Sequence, residues 1–201
     1  QTFDNFKLEF FNCPEIKSGE ILVKVKWLSL DPYMRGRMDN VRSYASPVEI
    51  GEAMEGECIG EIIVSKNEKF AVSELVIGKF GWVSHAISNG NGLRKLKRTN
   101  IPEQTALGVL GMPGHTAWTG LNKIANAKKE ETIVISAASG AVGSLAGQLA
   151  KKKGLKVIGI AGNDQKCSYV VNELGFDGCI NHNNVTNNKE FSNLIKSYCP
   201  N

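Results

Sequence analysis

Between Ile21 and Leu28 apolar and basic residues alternate. Ile21, Val23, Val25 and Trp27 fall on one face and Lys24 and Lys26 on the other, which predicts a half-buried strand of period two. Residues 57–64 and 74–83 predict two more strands, with Gly60, Gly78 and Gly81 marking bulges or close approaches. Turn chemistry separates them at Ser18-Gly19, Asp31-Pro32, Lys66-Asn67 and Asn89-Gly90-Asn91-Gly92. Short strands with frequent turns predict a small β-barrel for residues 1–105. After about residue 100 the period changes. A helical pattern at 102–124 is broken by Gly111, Pro113 and Gly114 and resumes from His115. Apolar strands at 133–136, 156–161 and 179–181 then alternate with helical patterns at 142–153, 164–174 and 189–198. That order predicts a parallel sheet covered on both faces, with Gly154 and Gly175 closing helices as C-terminal caps. Two domains are expected, 1–105 and 106–201.

Composition narrows the class. Hydrophobic residues make up 42% and charged residues 22%, which excludes a disordered chain. The net charge of +4 is small, and the basic runs at 93–98 and 151–153 carry no interleaved aromatics. They read as solvated faces, the second suited to a helix C-terminus, and no nucleic-acid partner is expected. No apolar run is long enough to span a membrane, and no export signal is expected. Cys13, Cys58, Cys167, Cys179 and Cys199 are odd in number and form no C-x-x-C, so they read as reduced thiols of a cytoplasmic protein. Cys58 and Cys179 stand in apolar strand contexts, as core thiols do. His85, His115 and His182 show no metal-ligand spacing, and no metal is expected.

The most informative stretch is TIVISAASGAVGSLAGQLAKKKGLKVIGIAG, Thr132 to Gly162. It reads as strand, small-residue turn, helix and second strand. A helix N-terminus offers unpaired N–H groups and a partial positive charge, which suit a phosphate that side chains do not obstruct. Ala138, Gly140 and Gly143 form A-x-G-x-x-G, a variant of the dinucleotide fingerprint with Ala at its first position. Gly143 also stands with Gly147 and Ala150 on one helical face, where packing alone would call for small residues. At the end of the second strand, where an NAD site carries an acid, stand small Gly162 and then Lys166. A cation there favours the 2′-phosphate of NADP. Asp164 is the competing acid, expected at the helix N-cap. The other reading of Lys166 is an exposed helix lysine.

LSLDPYMRGRM (28–38), GVLGMPGHTAW (108–118), SAASGAVGSLAGQLAK (136–151) and ELGFDGCIN (173–181) resemble one group of medium-chain dehydrogenases/reductases. It is the zinc-independent, NADP-dependent group of leukotriene B4 12-hydroxydehydrogenase, prostaglandin reductases and double-bond reductases. The resemblance implies an α/β plus β architecture: a GroES-like β-barrel followed by a Rossmann doubly wound parallel sheet. It implies that Gly140, Ala141, Val142 and Gly143 hold the NADPH pyrophosphate and that Lys166 meets the 2′-phosphate. His182 stands where the group has a Tyr at that phosphate, and reads equally as a phosphate donor or an ordinary loop histidine. Met112 and Thr116 match positions on the nicotinamide side, and Tyr33, Met34 and Arg35 match a substrate-cleft motif, where Arg35 reads also as a brace. Zinc-dependent relatives carry Cys in the barrel and a later Gly-His-Glu. Here SLDPYMR and GEAMEGE stand instead.

The implied activity is hydride transfer from NADPH to the activated C=C of an enone or enal, in a protein that pairs as a homodimer at full length. Members of the group run well beyond 201 residues, so the Rossmann half is expected to be incomplete, the chain a fragment, and the catalytic groups outside it. The other readings are a non-catalytic NADPH-binding module, a degenerate remnant or a quinone reductase.

Overall fold

The computed structural model describes residues 2–199. They divide into two compact units, Gln1–Gln104 and Thr105–Asn201. In the first unit lie β1 (Ile21–Leu28), β2 (Cys58–Ser65), β3 (Leu75–Gly78), β4 (His85–Ser88) and β5 (Arg94–Leu96), with one helical turn, α1 (Tyr33–Gly36). All strand pairs are antiparallel, in the order β4-β1-β2-β3-β5. This is an open sheet; the two outer strands do not pair, and no closed barrel forms among the described residues. Ile21, Val23, Ile62 and Val76 are fully buried, with Phe70, Phe80 and Leu93 packed on them.

The period-two reading of β1 holds at Ile21 and Val23 and fails at Trp27, which is 42% exposed. The register with β2 shifts between Val25 and Trp27, and such an irregularity takes the next side chain off the buried face. The basic run at 93–98 holds a strand, β5, whose Arg94, Lys95, Lys97 and Arg98 are exposed as a solvated face requires; Lys95 pairs with Glu74, and Arg98 with Glu61 and Glu103.

The second unit carries β6 (Thr132–Ile135), β7 (Lys156–Ala161) and β8 (Gly178–Asn181), parallel, in the order β6-β7-β8. Between and after them come α3 (Ala141–Lys152), α4 (Asp164–Asn172) and α5 (Asn188–Tyr198). These are the elements expected from the change of period, within two residues at each end. Gly154 and Gly175 close α3 and α4 with φ of +80° and +74°. Ahead of the sheet, α2 (Met112–Thr119) runs into a π-type turn, Gly120–Ile124. Pro113 and Gly114 do not break this helix, because they fall in its first turn, where a missing N–H costs nothing. Leu121, Ala138, Ala150, Val157, Val170 and Phe176 form one buried cluster. Its tightest joint is Gly147 of α3 under Phe176: a Cβ at Gly147 would stand 1.9 Å from the ring. Helix and ring meet only because that side chain is absent.

Candidate functional site

The loops that leave the carboxyl ends of β6, β7 and β8 hold the turn 136–143, the tip Gly162–Lys166 and His182. Three segments picked from different parts of the sequence thus emerge at one edge of one parallel sheet, where open α/β sheets bind ligands.

The first loop is built from small side chains under backbone constraint. Ala137 takes φ +47°, a left-handed conformation that costs a non-glycine residue on the order of 1 kcal/mol. Its carbonyl accepts a hydrogen bond from the N–H of Gly140 at 2.8 Å and turns the chain into α3. Ala138 tolerates a methyl at the first fingerprint position because that methyl is buried, in the space a Cβ on Gly159 of β7 would need. Gly143 admits no methyl: its Cβ would stand 2.4 Å from the Ala137 carbonyl oxygen. Gly140 caps the helix in an extended conformation without any side-chain cap. The N–H groups of Ala141, Val142 and Gly143 therefore meet no protein acceptor among the described residues. They point along a helix of twelve residues whose dipole favours an anion at this end.

At the second loop the N-cap of α4 is Asn163, not Asp164: the Asn163 side chain accepts the Lys166 N–H at 2.8 Å. Asp164 enters the helix one residue later. Its carboxylate accepts hydrogen bonds from the amides of Asn181 at 2.7 Å and Asn184 at 3.2 Å. An acid held in this way by two asparagines is partly satisfied inside the protein. The Lys166 side chain is exposed and forms no ion pair among the described residues. His182 opens the third loop, exposed, with its Nε2 3.6 Å from where a Cβ on Gly162 would stand. Asn183 donates to the Gly162 carbonyl at 2.6 Å and fixes the second loop to the third. Sequence reading passed over these asparagines; their one signal was the run NHNN after the strand.

Met112 and Thr116 share a face of α2, both exposed, and the Thr116 hydroxyl donates to the Met112 carbonyl at 2.8 Å. In the first unit the DPYMR residues separate in role. Met34 is buried and packs where a Cβ on Gly56 would go. Arg35 is exposed and pairs with Asp39 at 2.6 Å. Tyr33 is half-buried; burial, then the Glu55 and Asp31 carboxylates, push its phenol up, so it stays a neutral donor. The arginine held inside is Arg37, which the sequence did not single out. It donates to Glu55 and to the Ala45 carbonyl, and its guanidinium lies 4.7 Å from the Tyr44 ring centre. A concavity of about 550 Å³ beside β3 and β4, lined by Ile77, Phe80 and Leu93 among others, includes none of the candidate residues. Among the described residues, no group of three His, Cys, Asp or Glu is placed to hold a metal ion, and no helix is long and apolar enough to cross a membrane.

Residues 1–96 match the family described as the N-terminal domain of oxidoreductase. The chain is 43% identical over 192 residues to prostaglandin reductase 1 of Rattus norvegicus, covering 94% of this chain and 56% of the relative. The chain is similar over nearly its whole length to reductases of the medium-chain dehydrogenase/reductase family. An NADPH-dependent curcumin reductase of Escherichia coli is 40% identical over 197 residues, covering 98% of this chain and 56% of that one. Among solved structures, CurA from Vibrio vulnificus in complex with NADPH matches with a TM-score of 0.87 and 43% identity, over 98% of this chain and 58% of that one. An Escherichia coli quinone oxidoreductase, at 21% identity and a TM-score of 0.68, shares the fold. The chain thus spans little more than half the length of the relatives it matches.

Proposed function

We propose that this chain is part of an NADPH-dependent reductase of activated carbon–carbon double bonds, with an enone or enal as substrate. The observation that carries the reading is the β6–α3 turn. It leaves three helix N–H groups without protein acceptors, with the uncompensated cation of Lys166 one loop away. The residues suit a dinucleotide: Gly140, Ala141, Val142 and Gly143 would receive the pyrophosphate on their backbone, since none carries a side chain longer than valine. Lys166 and His182 would meet the 2′-phosphate, and Asp164, already engaged by Asn181 and Asn184, would not oppose it. Met112 and Thr116 are proposed on the nicotinamide side. The bound cofactor supplies a hydride for the substrate's β-carbon.

The first unit is proposed as the GroES-like substrate domain, with Tyr33 as the donor nearest to substrate, Arg35 beside it and Met34 packed beneath. Zinc independence is part of the proposal. It rests on SLDPYMR and GEAMEGE standing where zinc-dependent relatives carry their ligands.

The test is a titration with NADPH and NADH followed by tryptophan emission, then NADPH oxidation by the whole protein with a simple enone. NADPH should bind tighter than NADH, and Lys166→Ala should weaken NADPH by about 10- to 100-fold while leaving NADH unchanged, as loss of one charge-assisted phosphate contact requires. Equal affinity for the two nucleotides would remove the 2′-phosphate assignment. Tight NADPH binding without enone-dependent oxidation would leave a binding module in place of a reductase.

A further inference from the structure

The mechanism proposed above leaves two thiols unused. Cys167 stands in α4, directly after Lys166, and Cys179 in β8. Twelve residues apart in sequence, they meet in space: Cys179 Sγ lies 2.7 Å from Cys167 Sγ, and both are half-buried. A disulfide is about 0.7 Å shorter than that separation, so helix and strand need only a small approach to form one. Burial first, then the adjoining Cys167, push the Cys179 thiol up to about 12. Cys179 therefore stays protonated. The remaining cysteines are differently placed: Cys58 is buried with its thiol donating to the Gly81 carbonyl, and Cys13 is exposed in the N-terminal segment.

We propose that Cys167 and Cys179 form a reversible disulfide with hydroperoxides, a modification site on the α4–β8 joint. The Cys167 thiolate attacks the terminal peroxide oxygen and the O–O bond breaks. Sulfur is oxidised to a sulfenic acid, and the peroxide is reduced to an alcohol, which takes back the proton Cys167 had lost. Cys179 sulfur then attacks Cys167 sulfur, the S–O bond breaks, and hydroxide leaves with the Cys179 proton as water. One peroxide and two thiols give one disulfide, one alcohol and one water. The consequence for the fold is a covalent tie from the first turns of α4 to the strand that ends in Asn181. The hydrogen bonds of Asp164 to Asn181 and Asn184 already make the same connection without a covalent bond.

The sequence makes the site easy to read. No Lys or Arg lies between Lys166 and Lys189, so trypsin releases both cysteines in one peptide, 167–189, and Glu173 is the one glutamate between them. The protein is treated with a small excess of an alkyl hydroperoxide, alkylated and digested. Expected is a 167–189 peptide lighter by two hydrogens and unalkylated, whose halves stay joined after cleavage at Glu173 and separate with dithiothreitol. Cys167→Ser and Cys179→Ser should each abolish the cross-link, and circular dichroism checks that the variants fold. Peptide mapping of the wild type stands without them. Sulfinic or sulfonic acid on Cys167 with Cys179 still free, or a cross-link to Cys13, Cys199 or a second molecule, would overturn the proposal.

Discussion

Arg35 and Arg37 sit two residues apart and ask opposite things of the fold. Arg35 pairs with Asp39 in the open, the side chains 56% and 45% exposed, where an ion pair is worth about 0–1 kcal/mol. The Arg37 side chain is 8% exposed, and it holds Glu55, the Ala45 carbonyl and the face of Tyr44. Removing it leaves Glu55 without its partner and a carbonyl without its donor. Arg37→Ala should therefore cost about 2–4 kcal/mol in urea unfolding and Arg35→Ala under about 1. Equal costs would mean that the buried guanidinium is not held as the structure has it. The pattern DPYMRGRM drew attention to Arg35 because a motif names its neighbours. What distinguishes Arg37 is a carboxylate eighteen residues away, which no local pattern reveals. The same holds for Asp164, whose type and place near a helix start were legible while its asparagine partners were not.

Elements were legible where one period ran uninterrupted and ended on a cap. The alternation of β6 to α5 was readable because each strand is a short apolar run and each helix stops at Gly or starts at Asn or Gly. The first sheet was less so. Its outer strands β4 and β5 are four and three residues long, and shifts of register in β1 break the alternation a reader would count. Packing between elements was the least visible. Gly147 read as one of several small residues, yet it stands hardest against the buried ring of Phe176. Gly147→Ala should lower stability by about 1–3 kcal/mol, from overpacking that outweighs the gain in helix propensity. Adding Phe176→Leu should recover part of that loss, though Phe176→Leu alone destabilises. Independent, additive costs in the double variant would show that the two side chains do not compete for one space.

A second joint of this unit is electrostatic. Burial alone would raise Asp177, but the Lys151 ammonium of α3 at 2.7 Å and the Val157 N–H of β7 outweigh it and hold the carboxyl below the usual range. A carboxyl depressed in the folded state gives stability that is present above its unfolded value of about 3.9 and lost as pH falls through the folded one. Unfolding free energy should thus decline below about pH 4 less steeply in Asp177→Asn than in the wild type. Parallel pH profiles would assign the acid lability to other carboxylates.

At the scale of the molecule the parallel sheet ends on each side in a strand paired on one side only among the described residues, β6 and β8. β6 is hydrogen-bonded to β7 and, among the described residues, to no other strand. Its sequence, TIVI, is β-branched throughout, and Val134 is 36% exposed. Such a strand presents a row of N–H and C=O groups with the side chains most suited to pairing, which is the feature edge strands of soluble proteins ordinarily suppress with charge, proline or a bulge. None of these devices occurs in Thr132–Ile135. A second copy can add its own β6 and extend the sheet, so the 201-residue chain should self-associate as concentration rises, followed by light scattering behind gel filtration. Val134→Lys places a charge on that edge without touching the β6–β7 register, and should shift the population toward monomer while leaving NADPH affinity unchanged. A wild-type chain that stays monomeric over the same range, or association indifferent to Val134→Lys, would show that the open side of β6 is not the contact surface.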